Sequence, residues 1–375
     1  MKLAIGKETA AAEKRVAASP ETVRKLTALG FDVCVERGAG LTAAVTDDMF
    51  AQAGAKIAEG SDVYKDADVV LRVRNPLASE ISAMKSGALL LAQLAPYQEK
   101  DTLKALAAQG VTAFAMEFVP RITRAQTMDV LSSQANLAGY RAVLEAAAAF
   151  GRAFPMMMTA AGTVPPAKVF VMGAGVAGLQ AIATARRLGA TVSATDVRPA
   201  AKEQVQSLGA SFVMVENEET KAAETSGGYA KEMSDDYKRQ QAELIAETIK
   251  KQDVVITTAL IPGRPAPKLV TEEMVRSMKP GAVIVDLAVE QGGNCALSKA
   301  GEIVDVNGVT IVGHLNLPSR IAVDASALYA RNLLNFLTPL VDKETKALKL
   351  NREDDIVKAS MVTDGGQIVH PQLQG

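Results

Sequence analysis

One run constrains this chain more than any other: AKVFVMGAGVAGLQAIATARRLGATVSATD, residues 167–196. An apolar strand pattern leads into GxGxxG, a helical pattern follows, and a second apolar run ends on Asp196. That order specifies a βαβ unit of the Rossmann type. Each glycine has a task in it. Gly173 permits the tight turn, Gly175 lets a pyrophosphate approach the backbone, and Gly178 lets the helix pack closely on the strand, with Val176 on the turn itself. The helix start offers unpaired N–H groups to phosphates. Asp196, 18 residues beyond Gly178, is placed to accept hydrogen bonds from ribose hydroxyls. The unit is therefore expected to hold NAD(H), and Asp196 to disfavour a 2′-phosphate by like-charge repulsion. Val197 and Arg198 follow directly. Arg198 either softens that repulsion or is a surface residue.

At 375 residues the chain exceeds one ordinary core and suits two domains. Residues 2–5, 32–35, 67–73, 88–91 and 111–115 read as strands alternating with helical patterns such as 21–29 and 100–109. Such alternation means a parallel sheet with crossover helices. A second series at 168–172, 191–195, 211–213, 254–257, 282–286 and 310–313 matches one doubly wound sheet of six strands. Helical stretches at 128–150 and 324–340 connect the two series, and the residues after 340 return to the first. The expected fold class is α/β, with two Rossmann-like doubly wound parallel-sheet domains and a cleft between them. The first domain is expected at 1–133 plus 327–375, and the NAD(H)-binding domain at 134–326. A polar insert at 215–237 reads as a linker or a lid.

Basic and acidic residues nearly balance, 41 against 42, so nothing calls for nucleic acid or an anionic membrane. The longest apolar stretch, 169–185, is broken by Gly173, Gly175, Gly178 and Gln180 and falls short of the ~20 residues of a spanning helix. No direct membrane span is expected, and the opening MKLAIGKE reads as a strand, which implies a cytoplasmic chain. Cys34 and Cys295 form no CxxC and read as packed thiols without an assigned role. No metal site is expected. The two histidines, His314 and His370, limit acid/base chemistry. His314 reads as a structural histidine, with a catalytic role as the alternative.

The segments VPRITRAQTMDVLSSQANLAGYRAV, TAAGTVPPAKVFVMGAGVAGLQAIATARRLGA, TTALIPGRPAPKLVTEEMV and IVDLAVEQGGNC closely resemble the NAD(H)-binding component of proton-translocating NAD(P) transhydrogenases, over nearly the whole chain. The resemblance implies direct hydride transfer between NADH and NADP⁺, the latter held by a partner subunit. A chain ending at Gly375 looks like the split form. That form is a subunit inactive alone, docked on NADP(H)-binding and membrane subunits at the inner face of the cytoplasmic membrane, and the family suggests a homodimer.

By the same resemblance, Arg121, Gln126 and Asp129 position the reacting groups, with Ser132 at the start of the next helix. Without it, these residues read as a solvated polar loop. Arg121 has five fixed donors, Asp129 can hold it in place, and the Gln126 amide can bond a ribose. Tyr229, in SGGYAKEM, resembles the tip of the family's mobile loop, with Gly227 and Gly228 as hinge; otherwise it is a surface tyrosine. Thr258, Ala259 and Leu260 follow a strand at the sheet's carboxyl edge. They are expected to touch the nicotinamide half, or are ordinary loop packing.

Alanine dehydrogenase is similar in arrangement and in its opening residues, here KETAAAEKRVAASPETV. Its substrate-binding arginine matches Arg15. But Arg72 stands where a lysine is expected, Gln93 replaces a histidine and Glu290 an aspartate, and an arginine cannot deprotonate to replace the lysine. The alternatives are an alanine dehydrogenase-like, NAD-dependent amino-acid oxidoreductase and a non-catalytic NAD-sensing module.

Overall fold

Continuous apolar runs buried on both faces set the two sheets. The computed structural model describes residues 1–198, 200–216, 234–261 and 263–374. They divide into two units, Met1–Gln134 with Pro318–Gly375, and Ala135–Leu317.

In the first unit an eight-stranded sheet runs Gln367–Ile368, Met361–Asp364, Thr112–Ala115, Leu89–Ala92, Val69–Leu71, Lys2–Ile5, Asp32–Glu36 and Lys56–Ala58. From Thr112–Ala115 onward all neighbours are parallel. The central runs LLLA and VVL are buried throughout, as crossover helices on both faces require. The end of the chain adds an antiparallel edge. Met361–Asp364 pairs with Thr112–Ala115 and turns back through Gly365 and Gly366, both at positive φ. Tyr329, Leu333, Phe336 and Leu337 on the Ala322–Leu337 helix enter this core at helical spacing. The Phe336 ring meets Phe114 edge-on at 5.3 Å.

The second unit holds a seven-stranded sheet in the order Ser211–Phe212, Thr191–Thr195, Lys168–Met172, Val254–Thr257, Val283–Asp286, Val309–Val312 and Ile303–Val306. The first six are the expected doubly wound set, in parallel. The seventh corrects the sequence expectation. Ile303–Val306 pairs antiparallel with Val309–Val312 through a two-residue turn, Asn307-Gly308, with both residues left-handed. It alternates between exposed and half-buried positions and lacks the continuous apolar run that marks its neighbours.

The Val130–Ala149 helix packs on the Val176–Arg187 helix at backbone contact. A Cβ on Gly139 would lie 2.0 Å from the Ala177 carbonyl oxygen, so only glycine fits. A small ribbon, Met157–Thr159 with Gly162–Val164, follows. It carries exposed Met157 and Met158, next to exposed Met156.

Candidate functional site

The Lys168–Met172 strand delivers the chain into the glycine turn, and the turn depends on its neighbours. Gly173 has φ +107, and a Cβ there would lie 2.5 Å from Thr258 Oγ1. A Cβ on Gly178 would lie 1.8 Å from the Gly173 carbonyl oxygen. Helix and strand therefore approach as closely as backbone allows. A Cβ on Gly175 would meet nothing within 4 Å. No side chain caps this helix, so its first-turn N–H groups remain available to an anion.

Asp196 ends the adjacent Thr191–Thr195 strand. Its Oδ2 accepts from the Ala174 N–H at 2.7 Å, inside the glycine turn, and Oδ1 accepts from the Arg198 N–H at 2.8 Å. The Arg198 guanidinium donates to both oxygens, at 2.9 and 3.1 Å. Burial is the strongest single influence on this carboxyl and pushes it up, but Arg198 and the two backbone N–H groups together hold it below the usual carboxylate range. Arg198 is thus paired with Asp196 as well as half exposed. Val176, Val197, Leu260 and Ile261 leave apolar surface exposed at the carboxyl ends of three adjacent strands. Open space at Gly175, free amides, an acidic strand end and an apolar rim fit a dinucleotide.

Residues 258–260 leave the Val254–Thr257 strand beside this turn. The Thr258 hydroxyl donates to the Gly173 carbonyl at 3.1 Å. Ala259 is held by Asn294, which the sequence reading missed. Asn294 is fully buried, accepts from the Ala259 N–H at 2.9 Å and donates to its carbonyl at 2.8 Å. Asn294 is itself placed by the fully buried Asp286, which accepts from the N–H groups of Ala288, Asn294 and Cys295 and from the hydroxyls of Thr257 and Ser298. The signal was present in VDLAVEQGGNC. Gly292 and Gly293, both at positive φ, turn the chain so that the asparagine enters the core.

Arg121, Gln126, Asp129 and Ser132 come together on one stretch of the first unit, a 3₁₀ turn at Thr123–Met128 leading into the Val130–Ala149 helix. Ala125, Met128 and Val130 enter the core. Asn332 and Asn335 donate to the Thr127 carbonyl at 2.8 and 3.1 Å, and Arg124 pairs with Asp354 at 2.6 Å. The stretch is held from below while Arg121 and Gln126 face outward. Asp129 departs from expectation. Its carboxylate accepts from the Ser132 N–H at 2.9 Å and from the Ser132 hydroxyl, capping the helix instead of gripping Arg121. Among the described residues, Arg121 has no hydrogen-bonding partner. Tyr229, Gly227 and Gly228 lie outside the described residues.

Neither histidine is set up as an acid/base. His314 Nε2 lies 3.5 Å from Glu145, which also accepts from Arg141. His370 bonds the Ala359 carbonyl and stacks on Phe118, and burial pushes its pKa down. Both cysteines are buried and free, and burial pushes both thiols up. No group of metal-ligating side chains occurs among the described residues, and no helix among them is long and apolar enough to cross a membrane.

Residues 4–138 match the N-terminal domain of the alanine dehydrogenase/PNT family, and residues 142–371 match its C-terminal domain. The chain belongs to this family. Within the alanine dehydrogenase/PNT family it is 58% identical over 381 residues to the first of the separately encoded pieces of NAD(P) transhydrogenase subunit alpha in Rhodospirillum rubrum, covering 100% of this chain and 99% of that protein. A solved transhydrogenase structure from Sinorhizobium meliloti superposes with a TM-score of 0.91 at 58% identity, covering 98% of this chain and 100% of the other. An alanine dehydrogenase of Halomonas elongata is more distant, 30% identical over 99% of this chain and 95% of that protein.

The residues at the alanine dehydrogenase positions are committed elsewhere. Arg15 is buried and donates to Glu13 at 2.6 and 2.8 Å and to Gln134 at 2.8 Å. Arg72 is buried among Glu8, Glu80 and the Tyr64 hydroxyl, and Glu290 accepts the Asn316 N–H.

Proposed function

We propose that this chain is the NAD(H)-binding subunit of a proton-translocating NAD(P) transhydrogenase, in which hydride passes directly between NADH and NADP⁺ held on a partner subunit. One observation carries the reading: an intact dinucleotide turn closed by Asp196, in a chain whose two histidines are both spent on structural contacts. A dehydrogenation of an alcohol or amine moves a proton as well as a hydride and calls for an acid/base. A hydride exchanged between two nicotinamides moves none. The 58% identity to a transhydrogenase subunit, against 30% to an alanine dehydrogenase, supports the same choice.

NADH, when bound, supplies the hydride; the chain's own residues hold and orient it. Gly173, Gly175, Val176 and Gly178 take the pyrophosphate, and Asp196, with Val197 and Arg198, takes the adenine ribose. Thr258, Ala259 and Leu260 line the nicotinamide half. Arg121 and Gln126 orient the reacting groups, from a stretch that Asp129 and Ser132 stiffen. Tyr229 and Gly228 belong to a segment that closes over the nucleotide and excludes water. The partners are an NADP(H)-binding subunit and a membrane subunit, which keep the chain at the cytoplasmic face of the membrane. A second copy of the chain covers the exposed methionines of the ribbon.

The test is reconstitution. The chain alone should bind NADH in preference to NADPH and turn over neither. Adding the two partner subunits should start transfer from NADH to NADP⁺. Robust NADH oxidation by the chain alone with pyruvate and ammonium would sink the reading.

A further inference from the structure

The Asp196 carboxylate is full. A carboxylate offers about four acceptor positions, and all four are used here. Two hold the N–H groups of Ala174 and Arg198. The other two hold Nε and Nη2 of the Arg198 side chain. The same Nη2 also donates to the Ala174 carbonyl at 3.3 Å, so one guanidinium bridges the carboxylate and the glycine turn. The backbone donors are fixed by the path of the chain. The guanidinium is half exposed and can leave.

We infer that Arg198 is a latch on the nucleotide site, an internal competitor for Asp196 that the ribose hydroxyls must displace, and that it sets how strictly a free 2′-hydroxyl is required. The inference rests on the proposed binding of NAD(H) at Asp196 and deepens it. A ribose diol needs acceptor positions on that carboxylate, and those not fixed by backbone are the two Arg198 holds. With the latch closed, Asp196 is neutralised and a 2′-phosphate meets little repulsion. With Arg198 gone, the bare carboxylate repels it. Arg198 therefore weakens NADH binding and narrows the gap to NADPH. It acts through Asp196, as a specificity-setting residue that touches no reacting atom.

The experiment is equilibrium titration of the full chain, wild type and Arg198→Met, with NADH, NADPH, 5′-AMP and 2′,5′-ADP. The adenine nucleotides isolate the ribose end. Arg198→Met is expected to bind NADH and 5′-AMP about three- to tenfold more tightly, the range of a well-aligned but solvent-exposed ion pair. NADPH and 2′,5′-ADP should bind more weakly, so that selectivity widens. Arg198→Lys keeps the charge but loses the fork and should fall between. An unchanged melting temperature for Arg198→Met ties the shift to the site. If Arg198→Met binds NADH no more tightly than wild type, or binds NADPH better, the latch is overturned. If wild type fails to bind NADH, the nucleotide reading itself falls.

Discussion

Asn294 holds Ala259 by both polar ends of its backbone, accepting the N–H at 2.9 Å and donating to the carbonyl at 2.8 Å from a fully buried position. The second Asn294 amide hydrogen bonds the Pro267 carbonyl at 2.8 Å. One side chain thus sets the shape of the loop at residues 258–260, next to the glycine turn.

Removing it should loosen that loop. Asn294→Ala strands buried backbone groups, each costing ~1–3 kcal/mol, so the melting temperature should fall by several degrees. NADH affinity should fall as well, while 5′-AMP affinity holds, because the loop faces the nicotinamide half in our proposal. Calorimetric melting and nucleotide titration check both. Equal losses for NADH and 5′-AMP would remove the loop from the nicotinamide end.

Gln126 is exposed and makes no side-chain contact with the core, so Gln126→Ala should fold normally. In the reconstituted enzyme its hydride-transfer rate should drop roughly tenfold to a hundredfold, the usual cost of misplacing reacting groups. NADH binding should weaken less. Stopped-flow transfer rates set beside equilibrium Kd values separate the two; a wild-type rate would refute the positioning role.

Glu13 predicts acid sensitivity. Burial is the largest influence on its carboxyl and pushes it up. Hydrogen bonds and charge from Arg15, with the charge of Arg74, more than offset this and bring it from 4.5 down to about 2. A folded-state pKa below the unfolded value stabilises the fold above the unfolded pKa, and that contribution drains away as pH falls from about 4.5 toward 2. Glu8 works with the opposite sign, since burial raises its pKa, and so does not account for an acid limb. Melting followed from pH 5 downward should show a steeper loss for wild type than for Glu13→Gln. At neutral pH the variant should lie ~3–5 kcal/mol lower, because Arg15 is left buried without its counter-charge.

The methionine ribbon carries the homodimer proposal. Met158 is 81% exposed, so Met158→Glu should leave the fold and NADH binding intact. It should turn a dimer into a monomer in sedimentation velocity. A wild-type chain that sediments as a monomer at micromolar concentration defeats the proposal outright.

Much of this molecule was legible in the amino-acid order because the deciding interactions are local. The strand, glycine turn and helix at 168–187 depend on neighbours a few residues apart, and the buried parallel strands announce themselves as unbroken apolar runs. Shorter elements were not legible. Lys56–Ala58 and Ile303–Val306 have three or four residues with partly exposed patterns. Only the Asn307-Gly308 turn betrayed the second of them.

By itself the sequence determined an α/β chain with two sheets, a dinucleotide turn and an acidic residue at the next strand's end, since periodicity and turn chemistry act over short stretches. The tertiary structure alone decided how the polar groups are spent. Ala259 and Asn294 are 35 residues apart, and Thr127 and Asn332 are 205 apart, so no spacing rule could join them. Asp196 and Arg198 are near neighbours, yet whether one neutralises the other is a matter of rotamer and of where the Ala174 N–H points. Asp129 turning to Ser132 is a choice of the same kind. A buried or half-buried polar group takes whichever partner the packed chain brings within hydrogen-bond reach, and that is known only once the chain has folded.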